Sequence, residues 1–301
     1  MRVVWRFGCV AVALVLILVG WHFPYDTDAS TVEPRPAKPF YDAVYRPANQ
    51  ETRGLDYETT AAKAAKDWDV EGRVKSFVST HSLQARRVLD VGSGRGYLQD
   101  IVPDYTGLDL SSKVAAYYHK PFVAASATEM PFRDNTFDAA WTVWVIEHIP
   151  QPQKAFEEMR RVVKPGGVLF VMVAWNCTPW AADGFEVRPY SDFNWRGKAI
   201  KASIPVRRTP VFDLLHRIPT RAIRWGQYGF ARARTPLHFS ALQANYDIYW
   251  QPDSDAAVSL DRFEALMWFR SRGDECLSCG GPTREILDYN DPLIVRVNKR
   301  S

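Results

Sequence analysis

The stretch Val88 to Leu98 reads VLDVGSGRGYL. Val88, Leu89 and Val91 form a buried-strand pattern that carries an acid, Asp90, near its end. Gly92, Gly94 and Gly96 follow at alternate positions, with Ser93 between the first two, and Tyr97 and Leu98 open what reads as a helix. A turn this rich in glycine brings backbone close to a ligand without Cβ in the way, and a helix start behind it offers free N–H groups. The dinucleotide fingerprint G-x-G-x-x-G does not fit: its third glycine is due where Tyr97 stands. Asp90 would also set negative charge beside a pyrophosphate. A carboxylate there suits a ligand with a cationic amino group.

Further stretches follow in order. Thr106-Gly107-Leu108-Asp109-Leu110-Ser111 reads as the end of a second strand, again closed by an acid. Ala127-Thr128-Glu129-Met130-Pro131-Phe132 leads through Asp134-Asn135-Thr136 to a buried run from Phe137 to Trp144, which exits at Val145-Ile146-Glu147-His148-Ile149. Val162-Val163-Lys164-Pro165-Gly166-Gly167 stops a helix and starts the apolar run Val168 to Val173. Over about 85 residues this order resembles the motif series of the class I S-adenosylmethionine-dependent methyltransferases, type 11-like.

The resemblance implies an α/β fold: a Rossmann-like parallel sheet with helices on both faces and a reversed C-terminal hairpin. It implies S-adenosylmethionine as cofactor, held by Asp90, Gly92, Ser93, Gly94, Gly96, Asp109, Leu110, Thr128 and Glu129. In the family the acid at Asp109 takes both ribose hydroxyls, which suits a group with two acceptor oxygens. His148 stands where the fold presents residues to the acceptor and is the candidate catalytic base. Glu147 beside it reads equally as a helix cap or a cofactor contact. Two departures stand out. Ser126 occupies the place of an acid that in the family meets the adenine amino group, leaving a hydroxyl or a nearby carbonyl to accept instead. Only a short link joins Gly96 to Gly107, so the helix between them is expected to be about two turns, broken by Pro103.

Methyl transfer to a small-molecule or lipid- or glycan-linked acceptor is the leading function. An inactive cofactor-binding protein with a regulatory or scaffold role is the alternative, and a nicotinamide oxidoreductase is disfavoured by the early Gly96. Composition agrees with an enzyme: 301 residues, 47% hydrophobic and 24% charged, are enough for one sizeable core with additions. A net charge of +4 is too small to imply nucleic acid. No set of residues has metal-ligand spacing: Cys276-Leu277-Ser278-Cys279 is half a zinc knuckle without a second pair, and a reduced loop is expected there, with a disulfide as the alternative if the domain is exoplasmic.

Residues 1–24 read as a membrane anchor, 25–40 as a proline-rich linker and 41–301 as the catalytic domain. Phe7 to Phe23 contains no charged residue. At 1.5 Å per residue the run reaches about 25 Å, with Trp5 and Trp21 suited to the two interfaces. Arg2 and Arg6 raise a cleaved signal peptide as the rival, but no small-x-small site follows Gly20. A single-pass membrane protein is expected, its domain on the cytosolic face where S-adenosylmethionine is found. Before the first strand, Tyr57 to Val78 has helical spacing. Leu242 to Trp250 and Leu293 to Val297 are expected to form the final hairpin, with a helix over Leu260 to Arg272 between them. An insertion at 176–241 holds, from Arg196 to Arg234, ten Lys or Arg residues against one acid, Asp213. It reads as a basic surface for anionic headgroups or a phosphorylated lipid-linked acceptor, including an amphipathic helix from Val211 to Ile223 bent at Pro219.

Overall fold

In a computed structural model the described residues are 5–10, 13, 36–45, 54–231, 234–287 and 292–299. The expected membrane span and linker lie almost wholly outside them. Among the described residues no helix is long and apolar enough to cross a membrane.

The chain builds a seven-stranded sheet in the order β3-β2-β1-β4-β5-β9-β8. Its strands are β1 (Val88–Val91), β2 (Tyr105–Asp109), β3 (Phe122–Ala124), β4 (Phe137–Val143), β5 (Val163–Met172), β8 (Glu275–Cys276) and β9 (Leu293–Arg296). The first five are mutually parallel, and β9 runs antiparallel to both β5 and β8. A separate two-stranded ribbon pairs β6 (Ser240–Ala241) with β7 (Val258–Ser259). The reversed hairpin is present, but its first strand is β8 and not Leu242 to Trp250. The physical reason lies at Asn245, whose Oδ1 accepts the N–H groups of Asp247 and Ile248 at 2.9 and 3.0 Å. That side-chain turn takes the donors a strand would need.

Alternation along the strands divides the core into two layers. Val88, Tyr105, Ala139, Trp141 and Phe170 face α3 (Val70–Thr80), which contributes Val74, Phe77 and Val78. Leu89, Val91, Ala140, Leu169 and Val171 face α4 (Pro152–Val162) and α7 (Arg262–Arg270), with Phe156, Phe263, Trp268 and Phe269 between them. Asp261 caps α7 by accepting the Phe263 N–H at 2.9 Å, within the run expected to be helical. The helical run before β1 divides into α2 (Tyr57–Asp67) and α3, broken where Asp69 adopts a φ of 47°. Ahead of them α1 (Lys38–Val44) straddles the expected linker boundary at residue 40. No helix forms between Gly96 and Gly107; turns carry the chain to β2.

The insertion forms α5 (Trp195–Arg207) and α6 (Pro210–Ala231), the latter with Pro219 inside it. Several of its cations point inward, away from any external surface. The Arg221 guanidinium meets Asp261 at 2.9 and 2.7 Å and donates to the Ile286 carbonyl at 2.6 Å. Arg224 pairs with Glu264 at 2.8 and 2.9 Å. Lys201 donates to the Phe185 carbonyl, while Arg208, which is itself exposed, pairs with Glu186. The expected basic face is therefore partly neutralised from within. Arg270, paired with Glu285 at 2.6 Å, ties α7 to α8 (Pro282–Leu287).

Candidate functional site

β1 ends at the centre of the sheet, flanked by β2 and β4, so the turn that follows opens at the carboxyl edge of the strands. Gly92 has a φ of +75°, and a Cβ there would lie 2.2 Å from Val145 Cγ2, so only glycine fits. Gly94 has a φ of +51°, and an added Cβ would meet only the Tyr45 hydroxyl, at 3.4 Å. Asp109, at the end of β2, closes the turn: its Oδ2 accepts the Gly94 N–H and its Oδ1 the Ser111 N–H, each at 2.9 Å. Burial raises its pKa and these backbone donors work against the rise. Each oxygen keeps a lone pair for one further donor, so the donor set fits a vicinal diol.

Other expected cofactor residues behave differently. Asp90 shares a face with Val88, and its Oδ2 accepts the Tyr105 hydroxyl at 2.9 Å within the α3 layer. Burial there pushes its pKa up to about 7. Through that oxygen its carboxyl ties β1 to β2. Ser93 and Gly94 are gripped by Tyr118, whose hydroxyl donates to the Gly94 carbonyl at 2.8 Å and lies 2.6 Å from the Ser93 hydroxyl, from which it can accept. Gly96 lets the same ring approach, since a Cβ would lie 2.9 Å from it. Leu110 is half-buried beside Asp109. The Ser126 hydroxyl is taken up in its own turn, accepting the Thr128 N–H at 3.2 Å and lying 2.8 Å from Thr128 Oγ1. Thr128 and Glu129 border a surface depression of about 390 Å³ with Lys154, Glu157 and Glu158, none of which belongs to the glycine turn.

α1 lies over the glycine turn. Its Asp42 Oδ1 accepts the Ser111 hydroxyl at 2.6 Å, and hydrogen bonds from Lys38 and Ser111 lower the Asp42 pKa. Tyr45, just past its end, reaches Gly94, while Tyr41, one turn earlier, reaches a second cluster. Glu58 of α2 pairs with Arg95 of the glycine turn.

The second cluster follows β4. His148 Nδ1 lies 3.3 Å from both Oδ2 and the backbone carbonyl of Asp255. Asp255 Oδ2 also accepts the Tyr41 hydroxyl at 2.9 Å. With Nδ1 turned to Asp255, Nε2 of a neutral His148 is the acceptor. Glu147 is fully buried; its Oε1 accepts the Ala174 N–H at 3.0 Å, and its backbone carbonyl accepts the Ala257 N–H at 2.8 Å. Burial pushes the Glu147 carboxyl up to about 7 and Asp253 up to about 6. Burial works against charge on His148, but Asp255, Glu147 and Asp253 outweigh it and raise its pKa. Rings of Tyr41, Tyr57 and Tyr249 lie around this group, Tyr41 at 6.1 Å from the His148 ring and Tyr57 at 5.1 Å from Tyr249.

The structure thus joins His148 to Asp253, Asp255, Tyr41, Tyr57 and Tyr249, none of which the sequence singled out. The visible signals were slight: the acid pair in Gln251-Pro252-Asp253-Ser254-Asp255, and three tyrosines within Tyr41 to Tyr57. Among the described residues no cluster of potential metal ligands forms.

The family model described as a methyltransferase domain matches residues 89–171. Demethylmenaquinone methyltransferase of Renibacterium salmoninarum is 37% identical over 100 residues, 30% of this chain and 42% of that protein. The chain thus spans under half the length of that relative. Ubiquinone biosynthesis O-methyltransferase of Pectobacterium carotovorum is 30% identical over 163 residues, 43% of this chain and 67% of its own. Among solved structures, the amino pentose methyltransferase CalS10 from Micromonospora echinaspora aligns with a TM-score of 0.36 at 22% identity, covering 43% of this chain and 60% of that one. Glycine turn, strand-ending acid and sheet order stand together with the match to the Pectobacterium enzyme: the chain belongs to the class I S-adenosylmethionine-dependent methyltransferases, whose cofactor is S-adenosylmethionine.

Proposed function

We propose that this protein is an active methyltransferase for a small-molecule acceptor, working at a membrane surface through an N-terminal anchor. The observation that carries the reading is the pairing of Asp109 with Gly94 and Ser111, which builds a diol-sized acceptor beside a glycine turn. Backbone of the turn from Gly92 to Gly96 and the Asp109 carboxylate would hold the cofactor. The bound cofactor supplies an electrophilic methyl group on a sulfonium. The chain's own part is alignment, which is most of what an in-line displacement needs. α1 covers the cleft and keeps water out. Asp255 fixes the His148 ring through Nδ1, so that Nε2 takes the proton the acceptor loses.

The uncharged run Phe7 to Phe23 supports the membrane part, with the domain on the cytosolic face and the acceptor small or lipid-linked. Inward pairing of Arg221 and Arg224 leaves the basic insertion a lesser part in headgroup contact. An inactive cofactor-binding protein is the competing reading, favoured by the engagement of Ser126 within its own turn.

Calorimetric titration of the full chain in detergent with S-adenosylhomocysteine, with NADH as control, tests the site. Saturable binding of the homocysteine nucleoside alone, weakened by about 100-fold or more in Asp109→Ala, is expected from the loss of charge-assisted bonds. Absence of binding by folded protein would refute the reading. Label transfer from radioactive S-adenosylmethionine then separates an enzyme from its inactive alternative.

A further inference from the structure

A histidine oriented by one aspartate is enough to deprotonate a hydroxyl. The cluster after β4 holds more acid than that: Glu147 and Asp253 join Asp255 around a single imidazole. A neutral hydroxyl brings nothing to offset the excess. Two carboxyl oxygens of fully buried residues, Glu147 Oε2 and Asp255 Oδ1, have no hydrogen-bond partner among the described residues. Leaving such an atom without a donor is costly. A ligand with several N–H donors and a positive charge answers both deficits at once.

The surroundings favour the same ligand. The rings of Tyr41, Tyr57 and Tyr249 pack edge to face on one another beside Asp255, which the Tyr41 hydroxyl meets at 2.9 Å, and aromatic rings near a cation are favourable to it. Burial is the main cause of the raised pKa of Glu147 and Asp253, and a cation placed beside them would favour their charged forms. The place is right as well. Val145, which abuts Gly92, stands two residues before Glu147, and one turn of α1 separates Tyr41 at Asp255 from Tyr45 at Gly94. The acids therefore lie near the glycine turn that would hold the cofactor.

We propose that the acceptor is an amine, bound as its ammonium form by Glu147 and Asp255 and methylated on nitrogen. The proposal rests on the methyltransferase reading above and names its substrate class. The ammonium gives one proton to Nε2 of neutral His148, freeing the nitrogen lone pair. That pair forms the N–C bond to the methyl carbon as the C–S bond breaks, its electrons staying on sulfur. The product is a methylated ammonium and the neutral thioether.

The cofactor's own amino group is a second source of the same chemistry, and the test separates the two. Full-length protein is saturated with S-adenosylhomocysteine, then titrated calorimetrically with methylammonium, ethanolamine and glucosamine. Methanol, ethylene glycol and glucose serve as their neutral counterparts. Saturable binding by the amines and none by the alcohols is expected. Glu147→Gln and Asp255→Asn should each weaken amine binding at least tenfold while homocysteine-nucleoside affinity stays within twofold. Equal responses from amines and alcohols, or none from either, would overturn the proposal, and this comparison needs no variant to fold. Parallel loss of nucleoside affinity in Glu147→Gln would assign the acids to the cofactor's amino group and overturn it too. Wild-type protein that fails to bind the nucleoside sinks the methyltransferase reading itself. With carbon-13 methyl-labelled cofactor and an amine-containing cell extract, an N-methyl resonance is expected; an O-methyl product would contradict the assignment.

Discussion

Asp109 and Asp90 sit near the ends of adjacent strands and look equivalent in the sequence, yet the fold gives them opposite surroundings. Asp109 meets backbone N–H groups at the open edge, while Asp90 turns under the sheet to Tyr105. Register decides this: Asp90 lies opposite Gly107, so Asp109 stands two residues further toward the carboxyl edge of the sheet; neither that offset nor the tyrosine on β2 was legible in the sequence. Glu147 shows a further cost of burial. Its pKa rises from 4.5 to about 7 in the fold. The folded state therefore binds that proton more tightly than the unfolded chain. The favourable contribution is complete below pH 4.5 and is lost as pH climbs through 7, by about 3 kcal/mol at most. The ligand-free protein should melt at a higher temperature at pH 5 than at pH 8, by differential scanning calorimetry. Glu147→Gln should flatten part of that slope, with Asp90, Asp253 and His148 retaining the remainder because their shifts have the same sign. A melting temperature rising steadily from pH 5 to 8 would contradict the burial of these acids. His148→Ala should lower kcat by about 10²–10⁴ and leave nucleoside binding intact, as steady-state kinetics would report.

At the scale of elements, α1 and α6 carry what the motif series does not contain. The motifs end near Val173, and the α/β core they announce is the part of the fold the sequence made plain. α1 lies in a stretch whose prolines read as linker, so its contacts with Ser111 and Asp255 had no local signal. The latch predicts a split effect. Tyr41→Phe removes one donor from Asp255 and loosens the cover, and should raise the acceptor KM several-fold with a smaller change in kcat. α6 is held by Arg221, whose side chain is 3% exposed against Asp261. Arg221→Ala removes a buried cation and leaves Asp261, the capping acid of α7, without its guanidinium partner. It should cost about 3–5 kcal/mol in urea unfolding. Arg224→Ala, at a more accessible pair, should cost less. A loss under 1 kcal/mol at Arg221 would mean that α6 is held by its apolar side alone.

At the scale of the whole molecule, the proposed membrane-anchored reading raises the side on which the domain would lie, and two features pull apart. The structure joins Cys276 to Cys279, where the sequence led us to expect a reduced loop. Sequence spacing alone could not show that the turn brings the two sulfurs together on the sheet edge. Disulfides persist in oxidising compartments, whereas S-adenosylmethionine is a cytosolic metabolite. The energetics let the cofactor decide. Only two residues separate the cysteines, so closing the loop contributes about 2 kcal/mol by chain entropy. The same turn is held without sulfur: Ser278 Oγ accepts the Ile294 N–H at 2.9 Å, and the Leu277 N–H reaches the Ile294 carbonyl at 2.8 Å. A cytosolic domain can lose the bond and keep the fold. Full-length protein taken from native membranes, unfolded in alkylating reagent without reductant, should then carry adducts at Cys276 and Cys279. Its melting temperature should fall by only a few degrees when purified protein is reduced. Adducts that form only after reduction would place the domain on the oxidising side, where it would need its cofactor delivered across the membrane.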